Sequence, residues 1–385
     1  MAPPLRPRRR RHPPDRRQGP RGVPGGPGLS EGAGLTGRVE RLRAELGDLG
    51  TASFLVTRPV NVRYLIGFES SNTALVVGRD RLVLATDGRY LEAARSVEGV
   101  EVVRAERDLL GWLGQRLREL ADPPVGFEAD HVTVAGYGSL GPEGAELVPT
   151  TGVLAGLRAV KDESELAAIR RAARITDAAY ERLAREEIVG RAEAEVAWWL
   201  EQALREEGAE ALAFPVIVAS GPNAALPHHY PGRRRIGPGE TVIVDAGAQA
   251  GGYCSDCTRT FATGRLPDGL RRAYALCHSA QESALIAVRA GASASDVDAI
   301  ARTRIEEAGA PVLHGVGHGV GLEVHEQPVL RPESADILVA QNVVTVEPGV
   351  YLAGEGGVRI EDLVVVGERG PEVLSSFTKD LLTLS

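Results

Sequence analysis

His314-Gly-Val-Gly-His-Gly-Val-Gly321 is the stretch on which the fold of this 385-residue chain turns. Glycine fills every second position, and each glycine costs a helix about 1 kcal/mol relative to alanine, so the segment is not helical. Read as a strand, it places His314, Val316, His318 and Val320 on one face. The other face is bare, which lets a neighbouring strand approach closely. Two histidines on one face of such a strand point to a chemical site. The glycine spacing superficially matches a dinucleotide-binding fingerprint, but no helix opens after it. His325-Glu326 follows shortly, without the second histidine of a zincin motif.

Upstream, Thr241–Phe261 reads as a hairpin. A turn at Ala250-Gly251 would set Asp245 directly opposite Asp256, with Cβ atoms about 4.5–5.5 Å apart. Like charges so placed need a proton or a cation between them. Glu347 ends a strand in Thr345-Val-Glu-Pro-Gly-Val-Tyr351, and Glu361 lies on a strand in Gly357-Val-Arg-Ile-Glu-Asp362. Their apolar neighbours imply burial, which is costly for a carboxylate that is neither paired nor metal-bound. Two Asp, two Glu and clustered His suffice to hold a pair of divalent cations, the mark of a metal-dependent hydrolase. Cys254-Ser-Asp-Cys257 offers no zinc site, because residues three apart on a strand point to opposite faces.

Residues 1–35 are rich in Pro, Gly and Arg, without periodicity, and are expected to be a disordered basic tail. Residues 36–157 alternate helical and extended patterns, with a first helix from Arg38, and read as an α/β domain. Residues 158–385 begin with a capping-box-like Asp162-Glu-Ser-Glu165. They then run helix, helix, strands, twice over, which suggests an internal duplication around one sheet. Beyond the tail the chain is acidic, and the total is −8. That balance disfavours nucleic acid and anionic membranes as partners. Three cysteines are too few for a disulfide framework, and no run of about 18 apolar residues occurs. No apolar region follows the N-terminal arginines, so a soluble cytoplasmic protein is expected.

Taken in order, these motifs resemble the pita-bread metallopeptidases, in their Xaa-Pro aminopeptidase and Xaa-Pro dipeptidase (prolidase) branch, over about residues 38–385. Asn61-Val-Arg-Tyr-Leu-Ile-Gly-Phe68 and Thr86-Asp-Gly-Arg-Tyr90 resemble the creatinase-type N-terminal domain. The resemblance implies an α/β N-terminal domain, then an α+β catalytic domain with a pseudo-two-fold repeat. It implies five metal ligands: Asp256 and Glu361 bridging two ions, Asp245 on one, His318 and Glu347 on the other. His228, in Leu226-Pro-His-His-Tyr230, and His325 match substrate-site histidines, and His314 matches a position lining the same site. Glu347 would also shuttle a proton. Arg359 would hold a ligating carboxylate or reach the substrate's own. Cys257 stands where an aliphatic residue is more usual.

The implied cofactors are two divalent ions. The oxygen-rich ligand set suits Mn²⁺, with Co²⁺ or Zn²⁺ as alternatives. The implied activity is that of an Xaa-Pro aminopeptidase, with the dipeptidase as alternative. Its partners would be short proline-containing peptides and a second copy of the chain. Non-catalytic peptide-binding relatives typically lose ligands, whereas here all five positions are filled.

Overall fold

The computed structural model describes residues 32–141 and 145–385. The expected basic tail lies outside the described residues as far as position 31. From Gly32 the chain is helical through Glu45, so the first helix begins ahead of Arg38 and takes in the end of the expected tail. The reason is visible in the pattern Leu35, Val39, Leu42, Leu46, whose last three members are buried.

The N-terminal layer is a six-stranded sheet ordered Glu101–Arg104, Leu82–Thr86, Thr73–Gly78, Ser53–Val56, Val125–Glu128, Leu147–Thr150. Ser53–Val56 runs antiparallel to Thr73–Gly78 and parallel to Val125–Glu128. Phe54, Leu75 and Leu84 pack with the helices Gly32–Glu45 and Pro59–Ile66. Leu55, Val76 and Val83 pack with Leu109–Leu120 and Val134–Leu140 on the other face. Cover on both faces is why the central strands Ser53–Val56, Thr73–Gly78 and Leu82–Thr86 are almost wholly buried and mostly apolar. The core on the first face continues into Leu166, Ile169, Val320 and Val365, so the layer and the C-terminal half share packed side chains.

The C-terminal half opens with helix Glu163–Leu183, closed by the expected capping box: Glu165 N donates to Asp162 Oδ1 (3.0 Å) and Asp162 N to Glu165 Oε2 (2.9 Å). Helix Glu193–Glu206 follows, then strands Ile217–Ser220, Thr241–Ala246 and Cys257–Ala262. The order repeats as helices Asp268–Ala287 and Ala294–Glu307, then strands Gly317–Gly319, Glu326–Leu330, Val343–Val346 and Asp362–Val366. The two sets of strands form separate sheets of three and five strands rather than the single sheet expected. They meet where Glu361 N donates to Thr258 O (3.1 Å).

Three local expectations are corrected. The turn falls at Gly251-Gly252, both at positive φ (59° and 78°), as a type I′ turn requires. Asp245 therefore pairs with Thr258, and Asp256 sits in the break between Tyr253–Cys254 and Cys257–Ala262. The expected strand from Gly357 to Val366 is likewise two strands, Gly356–Arg359 and Asp362–Val366, with Ile360-Glu361 between them.

The third correction concerns the histidine segment. It is a strand only over Gly317–Gly319, and its register with Glu326–Leu330 breaks between His318 and Gly319. Pro328, which has no N–H to give, lies in the offset part of the partner strand. Val316 and Val320 consequently enter different cores rather than one face. The close approach does hold. A Cβ on Gly317 would lie 2.0 Å from Thr345 O, and one on Gly319 2.2 Å from Gln327 O. Both obstacles are backbone, so Gly317→Ala is expected to cost about 3 kcal/mol of stability, seen as a lower urea midpoint with an unchanged slope. Among the described residues no helix is long and apolar enough to cross a membrane.

Candidate metal centre

Asp256, His318 and Glu361 arrive from three places: the break after Tyr253–Cys254, the strand Gly317–Gly319, and the break after Gly356–Arg359. Each offers a ligand atom within 4.8 Å of the others. Glu347 joins them from the end of Val343–Val346, with Oε1 3.3 Å from His318 Nε2. Asp245, near the end of Thr241–Ala246, lies outside that close group. It is held by Arg359, whose Nη2 donates to Asp245 Oδ2 at 2.7 Å.

Whether these residues fit metal ions is answered by their unused atoms. Asp245 Oδ1, Asp256 Oδ1 and Glu361 Oε1 are buried and have no hydrogen-bond partner among the described residues. An unsatisfied buried acceptor is costly, about 1–3 kcal/mol each and more when charged. Burial raises the pKa of all three carboxyls, and repulsion among the acidic groups adds to it. A cation relieves both penalties. His318 Nδ1 donates to Gly319 O (3.0 Å), which turns Nε2 toward Glu347 Oε1 (3.3 Å) and Asp256 Oδ2 (3.6 Å), the orientation in which metal-binding histidines present that nitrogen. The donor set is four carboxylates and one imidazole, and it fits hard or borderline divalent ions.

The charges around the group are graded. Burial would raise Glu347, but the His318 hydrogen bond and charge outweigh it and bring its pKa down to about 2. Burial would lower His318, yet Glu347 holds its pKa above the ordinary imidazole value. Burial lowers His325, and the neighbouring His318 lowers it further.

Arg359 is buried and fully engaged. It donates through Nε to Thr258 Oγ1 (3.1 Å) and through Nη1 to Pro227 O (3.0 Å) and Tyr351 OH (3.2 Å). Of its two roles implied by sequence, the geometry supports holding a ligating carboxylate. His314 lines the site with both ring nitrogens occupied, Nδ1 donating to Gly315 O (2.8 Å) and Nε2 paired with Tyr351 OH (2.8 Å). His228 and His325 are exposed into the same cavity of about 780 Å³. The His325 ring meets His318 edge-on, with centroids 4.4 Å apart.

Several contributors escape sequence reading. Thr258 Oγ1 donates to Glu361 Oε2 (2.7 Å), and Tyr351 links His314 to Arg359. The turn carrying His325 is gripped by two arginines from earlier in the chain: Arg58 Nη2 donates to Glu323 Oε1 (2.6 Å), and Arg158 Nη2, on helix Val153–Ala159, to Glu323 Oε2 (2.8 Å) and to Glu326. Tyr351 was within reach, since it closes the quoted Glu347 motif. The arginines had no local signal. Arg331 also lines the cavity and, unlike Arg58, Arg158 and Arg359, has no carboxylate partner among the described residues.

Comparison with known proteins identifies the family of both halves of the chain. Residues 167–368 match metallopeptidase family M24, and residues 38–160 match the creatinase/prolidase N-terminal domain. The chain is 36% identical over 352 residues to the uncharacterized peptidase YqhT of Bacillus subtilis (strain 168), covering 90% of this chain and 100% of that one. Its fold is similar to an Xaa-Pro dipeptidase from Bacillus anthracis (TM-score 0.86, 36% identity, 91% of this chain and 100% of that one). It is also similar to an X-Pro aminopeptidase from Thermotoga maritima MSB8 (TM-score 0.83, 31% identity, 90% of this chain and 99% of that one).

Proposed function

The chain belongs to metallopeptidase family M24, a metal-dependent exopeptidase with a creatinase/prolidase N-terminal domain, and on that premise we propose that it hydrolyses the Xaa-Pro bond of short peptides. The observation that carries this reading is the set of buried carboxylate oxygens without partners, Asp245 Oδ1, Asp256 Oδ1 and Glu361 Oε1, in the site where Asp256, His318 and Glu361 converge. Asp245, Asp256, His318, Glu347 and Glu361 would hold two divalent ions, with Mn²⁺ the best match to so many oxygens. When bound, the ions supply the Lewis acidity that polarises an amide carbonyl and acidifies water.

The chain's own residues do the rest. Glu347, which lines the cavity beside His318, would take the proton that water gives up. It passes that proton to the proline nitrogen as the C–N bond breaks, while the water oxygen stays on the carbonyl carbon. His228 and His325, both lining the cavity, orient the peptide and donate to the carbonyl oxygen as its charge grows. Arg359 keeps Asp245 in place.

The sequence expectation put the aminopeptidase first. Arg331 favours the dipeptidase, because the free carboxylate just beyond proline needs a cation, and this one is uncommitted. The likeness to the X-Pro aminopeptidase keeps that activity as the second reading. The test is hydrolysis of an Xaa-Pro dipeptide beside an Xaa-Pro-Yaa tripeptide, with Mn²⁺ and with chelator. Metal-dependent cleavage of the dipeptide is expected. Arg331→Ala should raise its KM by about 10–100-fold with little change in kcat, the signature of lost uniform binding. Equal cleavage of the tripeptide would favour the aminopeptidase. No metal-dependent cleavage of either would overturn the proposal.

A further inference from the structure

Glu193 is a carboxylate that the chemistry above does not use, and it is completely buried. It is satisfied by an unusual number of donors. Oε1 accepts from Ser220 N (2.8 Å), Ser220 Oγ (2.7 Å) and Asn223 Nδ2 (3.0 Å). Oε2 accepts from Asn223 Nδ2 (3.1 Å), His229 Nε2 (2.8 Å) and Gly232 N (3.4 Å). Burial would raise this carboxyl, yet the hydrogen bonds from His229, Ser220 and Asn223 bring it below the ordinary range, so it stays charged.

Those donors share one feature. Ser220 and Asn223 enter the segment that carries His228, and His229 and Gly232 leave it. On the other side of His228, Pro227 O accepts from Arg359 Nη1 (3.0 Å), the arginine that holds Asp245. His228 is therefore pinned through the residue before it and the residue after it, while its own ring is exposed to the cavity. An exposed side chain gains its placement from the backbone beneath it. A catalytic contact displaced by about 1 Å loses on the order of 10²-fold in rate.

We infer that Glu193 and His229 form a positioning pair for His228, fixing the segment from which that histidine reaches the substrate. The inference rests on the functional reading above, in which His228 contacts the peptide. Its carrier is the placement of the two anchors, Arg359 on Pro227 and Glu193 on His229, on either side of one unanchored ring.

A double-mutant cycle separates positioning from general structural support. His229→Ala is made in the otherwise unaltered protein and in a His228→Ala background, and kcat and KM are measured with the Xaa-Pro dipeptide and Mn²⁺. Loss of kcat by about 10-fold or more is expected in the first, and less than about 2-fold in the second, because the ring that the pair positions is then gone. His229→Gln, which keeps a donor toward Glu193, should recover most of the loss. Equal losses in both backgrounds would overturn the inference, since they would mean that His229 supports the fold at large.

Amide exchange in the metal-free protein gives a readout independent of activity. His229→Ala should speed exchange of the Gly232 amide while leaving the Glu361 amide, which bonds to Thr258 O, unchanged. Unchanged exchange at Gly232 would refute the anchor even if the enzyme proves to be an Xaa-Pro peptidase. Faster exchange in a protein that cleaves no Xaa-Pro peptide would instead remove the functional reading, and the role of His228 with it.

Discussion

Glu361→Gln is expected to abolish metal-dependent activity and, in the same protein, to stabilise the metal-free fold. The activity follows from the ligand set. Glu361 is one of three residues whose donor atoms lie within 4.8 Å of each other, and its Oε1 has no protein partner. Losing that ligand should lower kcat/KM by about 10³-fold or more, since metal polarisation is worth several kcal/mol and each 1.36 kcal/mol is tenfold. The stability effect has the opposite sign. Without cations, Glu361 is a desolvated carboxyl among like charges. The amide keeps the acceptor for Thr258 Oγ1 and turns a donor toward the neighbouring carboxylates. A gain of about 1–3 kcal/mol in chelator is expected.

Thermal unfolding with and without Mn²⁺ checks both halves. The unaltered protein should gain about 2.7 kcal/mol at a hundredfold excess of metal over Kd, and the variant should gain little. A variant less stable than its parent in chelator, or one still stabilised by Mn²⁺, would take Glu361 out of the ligand set.

pH supplies an internal control on this result. Asp256 and Glu361 have folded-state pKa values raised above those of the unfolded chain. Such groups bind protons more tightly when folded, so their contribution is fully present below the unfolded carboxyl range of about 4 and is lost as pH rises through the raised values. Metal-free protein should therefore lose stability on going from mildly acidic toward neutral pH, and Glu361→Gln should flatten that slope. Glu347, brought down to about 2, acts the other way. Its contribution is present above its unfolded pKa and is lost only as pH falls toward 2.

How much of this could be read from the chain depends on the distance over which each feature is encoded. The capping box at Asp162 and Glu165 was legible because its partners are three residues apart. All five proposed ligand positions were legible as residue types beside glycine turns or strand ends. Register was not. Ala250-Gly251 and Gly251-Gly252 are both plausible turns, and only the tertiary structure selects the second, which moves Asp256 out of the ladder. The break at Ile360-Glu361 was hidden in the same way, because an apolar run does not announce where a strand leaves its sheet. Least legible were the partners. Thr258 and Glu361, Arg359 and Asp245, and Arg158 and Glu326 each meet across more than a hundred intervening residues, and nothing local marks them as pairs.

Arg359→Met tests the most consequential of those partners. The guanidinium and Asp245 are both buried and 2.7 Å apart, and the same group also holds Thr258, Tyr351 and Pro227 O. Removing one member of a buried pair leaves the other charge uncompensated, at a cost of about 3–5 kcal/mol. In metal-free protein that loss should appear in full, because nothing else neutralises Asp245. With Mn²⁺ bound, a cation can take over part of that task, so the stability deficit should shrink as metal is added. Activity should not recover with it. Asp245 and the Pro227–His228 segment lose their common anchor, and outer partners of metal ligands are worth about 10–100-fold in affinity or rate. Arg359→Lys retains the charge but not the four-way fork, and should rescue stability more than kcat. If the lysine variant restored both equally, Arg359 would act as a counter-charge alone, and its geometry would carry no part of the chemistry.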